Sequence, residues 1–213
     1  MKKFYALFCK DFSQLRDSGL SALFFGIPIF FLFSMAADFF DRPMNYESLS
    51  FWVVFFIGQT SLLYRSFSLE QRFQCFHVYS AWGVPNSSIF WSQTLCNWLG
   101  GILLGLFYLL LANLFGKTPL SFNLDFLICL LAVSLAMAPL GTLLSLLLQV
   151  EREFLFGLFF LPASIPVFLA ALSITEGQNP STWMYILFIF ILISGGLSSF
   201  LFEFFFDELT QSH

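Results

Sequence analysis

The sequence predicts an all-α polytopic membrane protein, with six transmembrane helices behind an N-terminal amphipathic helix at the membrane interface. Three observations carry that prediction. Hydrophobic residues fill 58% of the 213 positions and charged residues only 10%, against about 25% charged in soluble domains. The chain holds 33 phenylalanines, more than a soluble fold of this size could cover. Its apolar runs are continuous rather than alternating and come close to the roughly 20 residues that cross hydrocarbon, so they are helices, not barrel strands.

Residues 1–18 form the first unit. Phe4, Leu7, Phe8, Phe12 and Leu15 recur at helical spacing, with Lys3, Lys10, Asp11, Gln14 and Arg16 between them, which describes a helix lying in the membrane interface. Charge persists to Asp17 and the next apolar run is full length, which argues against a signal peptide. Residues 19–213 form the transmembrane domain, with spans over roughly 20–37, 49–64, 89–111, 124–148, 154–174 and 183–206.

Between the second and third spans lies a cytoplasmic stretch, 65–91, that is neither a span nor a short turn. It mixes Arg65, Glu70, Arg72 and His77 with Phe67, Phe73, Phe76, Tyr79 and Trp82, and ends in a Gly83-Val84-Pro85-Asn86 break. An apolar protein that keeps one amphipathic, turn-terminated stretch out of the bilayer is expected to use it on something soluble. Glu70, Arg72, Phe73, Phe76, His77 and Pro85 are the candidate docking residues.

Orientation follows from the basic residues. With the N-terminus inside, Lys2, Lys3, Lys10, Arg16, Arg65, Arg72 and Arg152 fall on the inner side and only Arg42 and Lys117 on the outer. Both termini and the 65–91 stretch are therefore expected in the cytoplasm of a cell bounded by this membrane. The loop from Asp38 to Glu47 is acidic, which contributes little to orientation.

Pro139, Pro162 and Pro166 each remove a backbone donor inside a span; the last two predict a fifth helix that is bent or broken. Irregular backbone at membrane depth is tolerated where it is buried or lines a cavity, so these prolines also mark a possible pathway. Gly101 and Gly105 form a G-x-x-x-G in the third span, and Gly195 with Ser199 a second small pair, spacings that let helices approach closely.

The chemistry inside the spans is sparse. Glu203 and Asp125 sit near span ends, and the amides Gln59, Gln93, Asn97 and Asn113 are expected to bond between helices. His77 and His213 lie outside the spans, so neither a bis-histidine haem site nor an H-E-x-x-H centre can be built, and no metal site or catalytic residue is assigned. No G-x-x-x-x-G-K-[ST] is present, so ATP hydrolysis would have to come from elsewhere. The four cysteines are scattered, read as reduced thiols, and no basic patch suggests nucleic acid.

Several short stretches carry a family resemblance. Lys10-Asp11, Ser21-Ala22-Leu23-Phe24-Phe25, Leu63-Tyr64-Arg65-Ser66-Phe67 with Glu70, and Trp82-Gly83-Val84-Pro85 come first. Gln93-Thr94-Leu95-Cys96-Asn97-Trp98-Leu99, Pro139-Leu140-Gly141-Thr142 and Leu161-Pro162-Ala163-Ser164-Ile165-Pro166-Val167 follow. In these the chain resembles the CcmB family, the permease subunit of the ABC-type haem exporter of cytochrome c maturation, and more broadly the ABC-2-type exporter permeases.

The resemblance implies a multi-pass permease of the bacterial inner membrane, itself not an enzyme. A CcmA-like cytoplasmic ATPase would grip 65–91 as a coupling helix. CcmC- and CcmD-like membrane subunits, a CcmE-like haem chaperone met indirectly, membrane lipid and a second permease copy would complete its surroundings. Haem would be handled by the complex, with no cofactor bound directly by this chain. Export of a lipid, glycan or drug, or a non-transporting role as an assembly scaffold, are the alternatives.

Overall fold

In a computed structural model of the chain, residues 2–39, 46–67, 70, 76–115, 124–147 and 153–211 are described. Among them the fold is all-helical: α1 (Lys2–Phe39), α2 (Tyr46–Tyr64), the short α3 (Phe76–Ala81), α4 (Asn86–Phe115), α5 (Leu124–Leu147), α6 (Glu153–Thr175) and α7 (Pro180–Gln211). Four helical segments are long and apolar enough to cross a membrane: Asn86–Leu114, Leu124–Leu147, Leu155–Thr175 and Pro180–Phe206. Ser48–Tyr64 is a shorter apolar helix.

The backbone is continuous across the boundary expected near residue 18, because α1 runs as one helix of 38 residues from Lys2. Nothing in Asp17-Ser18-Gly19 stops it; a lone glycine costs a helix only about 1 kcal/mol. At 1.5 Å per residue α1 is about 57 Å long, well beyond one hydrocarbon thickness. Of the bent or broken fifth helix expected, the broken form is not found, since α6 continues from Glu153 to Thr175 through both Pro162 and Pro166. There Ser164 Oγ donates to Leu161 O at 2.9 Å, giving a side-chain donor to the turn between the two rings.

The core lies where α2, α4 and α5 meet, with α1, α6 and α7 packed around them. In lipid the hydrophobic effect does not favour one apolar contact over another, so close packing and interhelical hydrogen bonds must hold the bundle. Both are present. Tyr108 of α4 reaches across Gly26 and Gly58, where any side chain would collide with its ring, and its hydroxyl donates to Ala22 O of α1 at 2.8 Å. Phe51, Trp52, Phe55 and Phe126 form an aromatic plug between α2 and α5, with Phe51 and Phe126 centroids 5.2 Å apart.

The two ends of the bundle differ. At one end Trp52 Nε1 and Ser48 Oγ meet Thr175 Oγ1, at 3.2 and 2.8 Å, joining the start of α2 to the end of α6. At the other, Leu7 of α1, Tyr79 of α3 and Phe202 and Phe206 of α7 share a second apolar cluster with Phe67, Val84 and Phe90. The beginning of α1, the stretch around α3 and the end of α7 therefore lie on the same side.

Candidate partner-docking site

The α3 region is built by its caps and by α1. Gly83 takes the left-handed conformation at φ 57°, which a residue without Cβ adopts readily. Val84 N then donates to Tyr79 O at 3.2 Å, the closing bond of a Schellman cap, and both side chains are buried together beneath it. Lys3 Nζ donates to the Trp82 and Gly83 carbonyls, at 2.7 and 3.2 Å, supplying charge where a helix C-terminus favours a cation. Pro85 is exposed and begins α4, its carbonyl accepting from Ser88 N at 2.9 Å.

Beneath α3 sits a knot of charge. Lys10 Nζ donates to Glu70 Oε1 and to the Tyr79 hydroxyl, and lies 3.1 Å from Asp11 Oδ1. Tyr79 Oη also donates to Glu70 Oε1 at 3.1 Å, and Ser92 Oγ of α4 donates to Asp11 Oδ2 at 2.6 Å. Two carboxylates and one ammonium thus join α1, Glu70, α3 and α4. Both carboxylate side chains are 4% exposed, while Lys10 keeps 41% of its side-chain surface open. Burial alone would lower the Lys10 ammonium, but the charges of Glu70 and Asp11 outweigh it and hold it above its ordinary range. Burial pushes the Asp11 carboxyl up, against the pull of Lys10 and Ser92. Burial and the Glu70 charge push the Tyr79 phenol up to about 12.

This geometry changes the part played by Glu70. It was expected on the docking surface, yet it is buried and spent on Lys10, because so large a desolvation cost is tolerable only beside a cation. The outward face of α3 instead presents Val78 and Trp82, 44% and 66% exposed and one helical turn apart. Arg72 and Phe73 lie outside the described residues, and of Phe76 and His77 only the backbone, on α3, is described. Lys3, Lys10, Asp11, Tyr79 and Ser92 were not read from the sequence as members of this site.

The remaining candidates lie elsewhere in the bundle. Gly101 of α4 takes the Gln59 amide against its Cα, and Gly105 takes Leu130 of α5 and Phe55 of α2. Pro139 is buried in α5, where Ser194 Oγ of α7 donates to Ala136 O at 3.3 Å on the same turn. Pro162 and Pro166 are exposed on α6. Next to them a groove of about 210 Å³ opens between α2 and α6, lined by Thr60, Ser61, Tyr64, Phe156, Gly157 and Leu161.

Of the four amides expected to bond between helices, Asn97 does so, accepting from Ser66 Oγ at 3.0 Å and donating to Thr142 Oγ1 at 2.9 Å. Gln59 does not: both of its amide atoms are buried without a partner. Asn113 Oδ1 is likewise buried and unpaired. No family model matches this chain, and no curated protein or solved structure matches it.

Proposed function

We propose that this chain is the membrane-embedded permease subunit of an ABC-type exporter, driven by a separate cytoplasmic ATPase that docks on α3. The observation that carries the reading is the construction of α3. Its inner face is fastened by ions and aromatics to α1, α4 and α7, while Val78 and Trp82 stay uncovered on its outer face. A short apolar knob on a rigid base is what a soluble partner needs in order to push on a bundle. Tryptophan at such a place is a frequent binding anchor.

In this reading α1 (beyond its amphipathic first half), α2, α4, α5, α6 and α7 make six crossings of a bacterial inner membrane. The α6 face bearing Pro162 and Pro166 is the part of the wall that yields during transport. Haem export, or release of a haem-loaded chaperone in cytochrome c maturation, is the narrower assignment, supported by the short motifs that resemble the CcmB family. The acting complex would hold two permease copies, since two ATP sites close between two ATPases.

The test is co-purification of the ATPase with a tagged chain from its own membranes. Val78→Asp with Trp82→Asp should abolish it while membrane insertion stays intact, because neither side chain is part of the buried knot. Retained ATPase would sink the docking claim. Deleting the gene then separates the narrower assignments: loss of holo-cytochrome c supports haem handling. Normal cytochromes with the ATPase still bound leave a lipid, glycan or drug as cargo.

A further inference from the structure

Gln59 stands out among the buried groups. It lies in the last third of α2, 0% exposed, with Nε2 and Oε1 each 2.7 Å from where a Cβ on Gly101 would sit, and neither atom has a hydrogen-bond partner. An unpaired buried amide atom costs about 1–3 kcal/mol, and in lipid no bulk water lies outside to soften that cost. A leucine would fill the same space without it. Orphaned buried polar groups are rare enough that each calls for a physical reason.

Its surroundings supply one. Toward α3, beyond the end of α2, a cluster of neutral polar groups joins the Ser66 turn to α4 and α5. Ser66, Asn97 and Thr142 are linked in a chain at 3.0 and 2.9 Å, and Thr94 joins Thr142 at 3.4 Å. All are buried. Away from α3 the seam between α2 and α4 is stoppered by Phe51, Phe55 and Phe126 against Leu130. Between the bonded polar end and the aromatic plug sits Gln59, held only by packing on a glycine. Glycines at 100, 101 and 105 let α2 bed deeply here, and contact of that kind has no directional bond to break.

We infer that the α2–α4 seam is a gate that admits water, and neutral groups of hydroxyl or amide type, from the α3 end as far as Gln59. In the closed state the amide is stranded on Gly101. When α2 and α4 part, it is hydrated or meets such a group on the cargo, which offsets the cost of separating the helices. Neither this cluster nor Gln59 bears a charge, so ions are not what the seam is suited to pass. The inference does not depend on which partner α3 takes.

Thiol accessibility tests it in membranes holding the full chain, with Cys9, Cys75, Cys96 and Cys129 changed to Ser. Single cysteines are placed by Ser66→Cys, Gln59→Cys and Phe55→Cys, and treated with a small water-soluble thiosulfonate. Positions 66 and 59 should react at least about tenfold faster than 55, the ratio set by about 1.4 kcal/mol of opening free energy. Equal, slow reaction at 59 and 55 overturns the gate. Should Gln59→Cys fail to accumulate, Ser66→Cys is compared with and without Gln59→Leu. Leucine should seal the seam and slow labelling at 66 about tenfold, and unchanged labelling would overturn the proposal equally.

Discussion

Lys10 does more in this fold than its place on an amphipathic helix suggests. Among the described residues it is the one cation paired with the two buried carboxylates, so removing it leaves Asp11 only Ser92 and Glu70 only Tyr79. Breaking a sealed ion pair costs about 3–5 kcal/mol, but Lys10 is two-fifths open, so Lys10→Met should cost nearer about 2 kcal/mol. Thermal melting in detergent checks this. The loss should shrink in a Glu70→Gln background, since the charge left uncompensated is then halved; strict additivity would mean that the two residues do not act together.

Tyr79 gives the same knot a pH signature. A phenol whose value in the fold lies above its unfolded one contributes stability that is complete below about pH 10 and is lost as the pH rises through about 12. Lys10, also raised, acts in the same sense, so what these two groups contribute to the knot is lost only in strong alkali. Asp11 has that sense at the acid end: its contribution is full below its ordinary carboxylate range and declines as the pH rises through its raised value. The difference in tyrosinate absorbance between the wild type and Tyr79→Phe should have its midpoint near 12. A midpoint near the ordinary 10 would show that the phenol is not buried against Glu70.

At the scale of elements, local chemistry was legible and partnership was not. Gly83-Val84-Pro85-Asn86 announced a helix stop and restart, and the cap at φ 57° is that stop. The bond from Lys10 to Glu70 spans 60 positions, so nothing in either neighbourhood foretells it. A hint was available: in a chain with 10% charged residues, a Lys-Asp pair inside a helix and a lone Glu among aromatics each need a partner. The prolines do not end α6. A proline forfeits one hydrogen bond and crowds the preceding turn, which weakens a helix without ending it when flanking residues favour helix and neighbours pack on it.

In α6 the Pro162 and Pro166 rings sit four apart on the exposed side. Pro166→Ala should therefore stiffen α6 and raise its melting temperature, by up to about 3 kcal/mol of helix stability. If α6 yields during transport, the same variant should export more slowly while keeping its ATPase. Faster or unchanged export with a stiffer α6 would remove the prolines from the mechanism and leave them as packing features.

For the whole molecule the decisive relation is which parts share an end of the bundle. Lys3 reaches the carbonyls that close α3, Lys10 reaches Glu70, and Phe202 and Phe206 of α7 pack under Tyr79 and Val84. Thus the start of α1, the α3 region and the end of α7 lie together at one end of the bundle, the end that the proposed orientation puts on the cytoplasmic side. Lys3 and Lys10, counted among the basic residues in the expected orientation, are also the residues that fasten α3. A tag at either terminus, or a cysteine placed by Trp82→Cys, should thus be shielded from a membrane-impermeant reagent in intact cells and react once the membrane is opened. Labelling of all three from outside would invert the molecule and deny α3 any cytoplasmic ATPase. Labelling of only one would contradict the placement of the start of α1, α3 and the end of α7 at one end of the bundle.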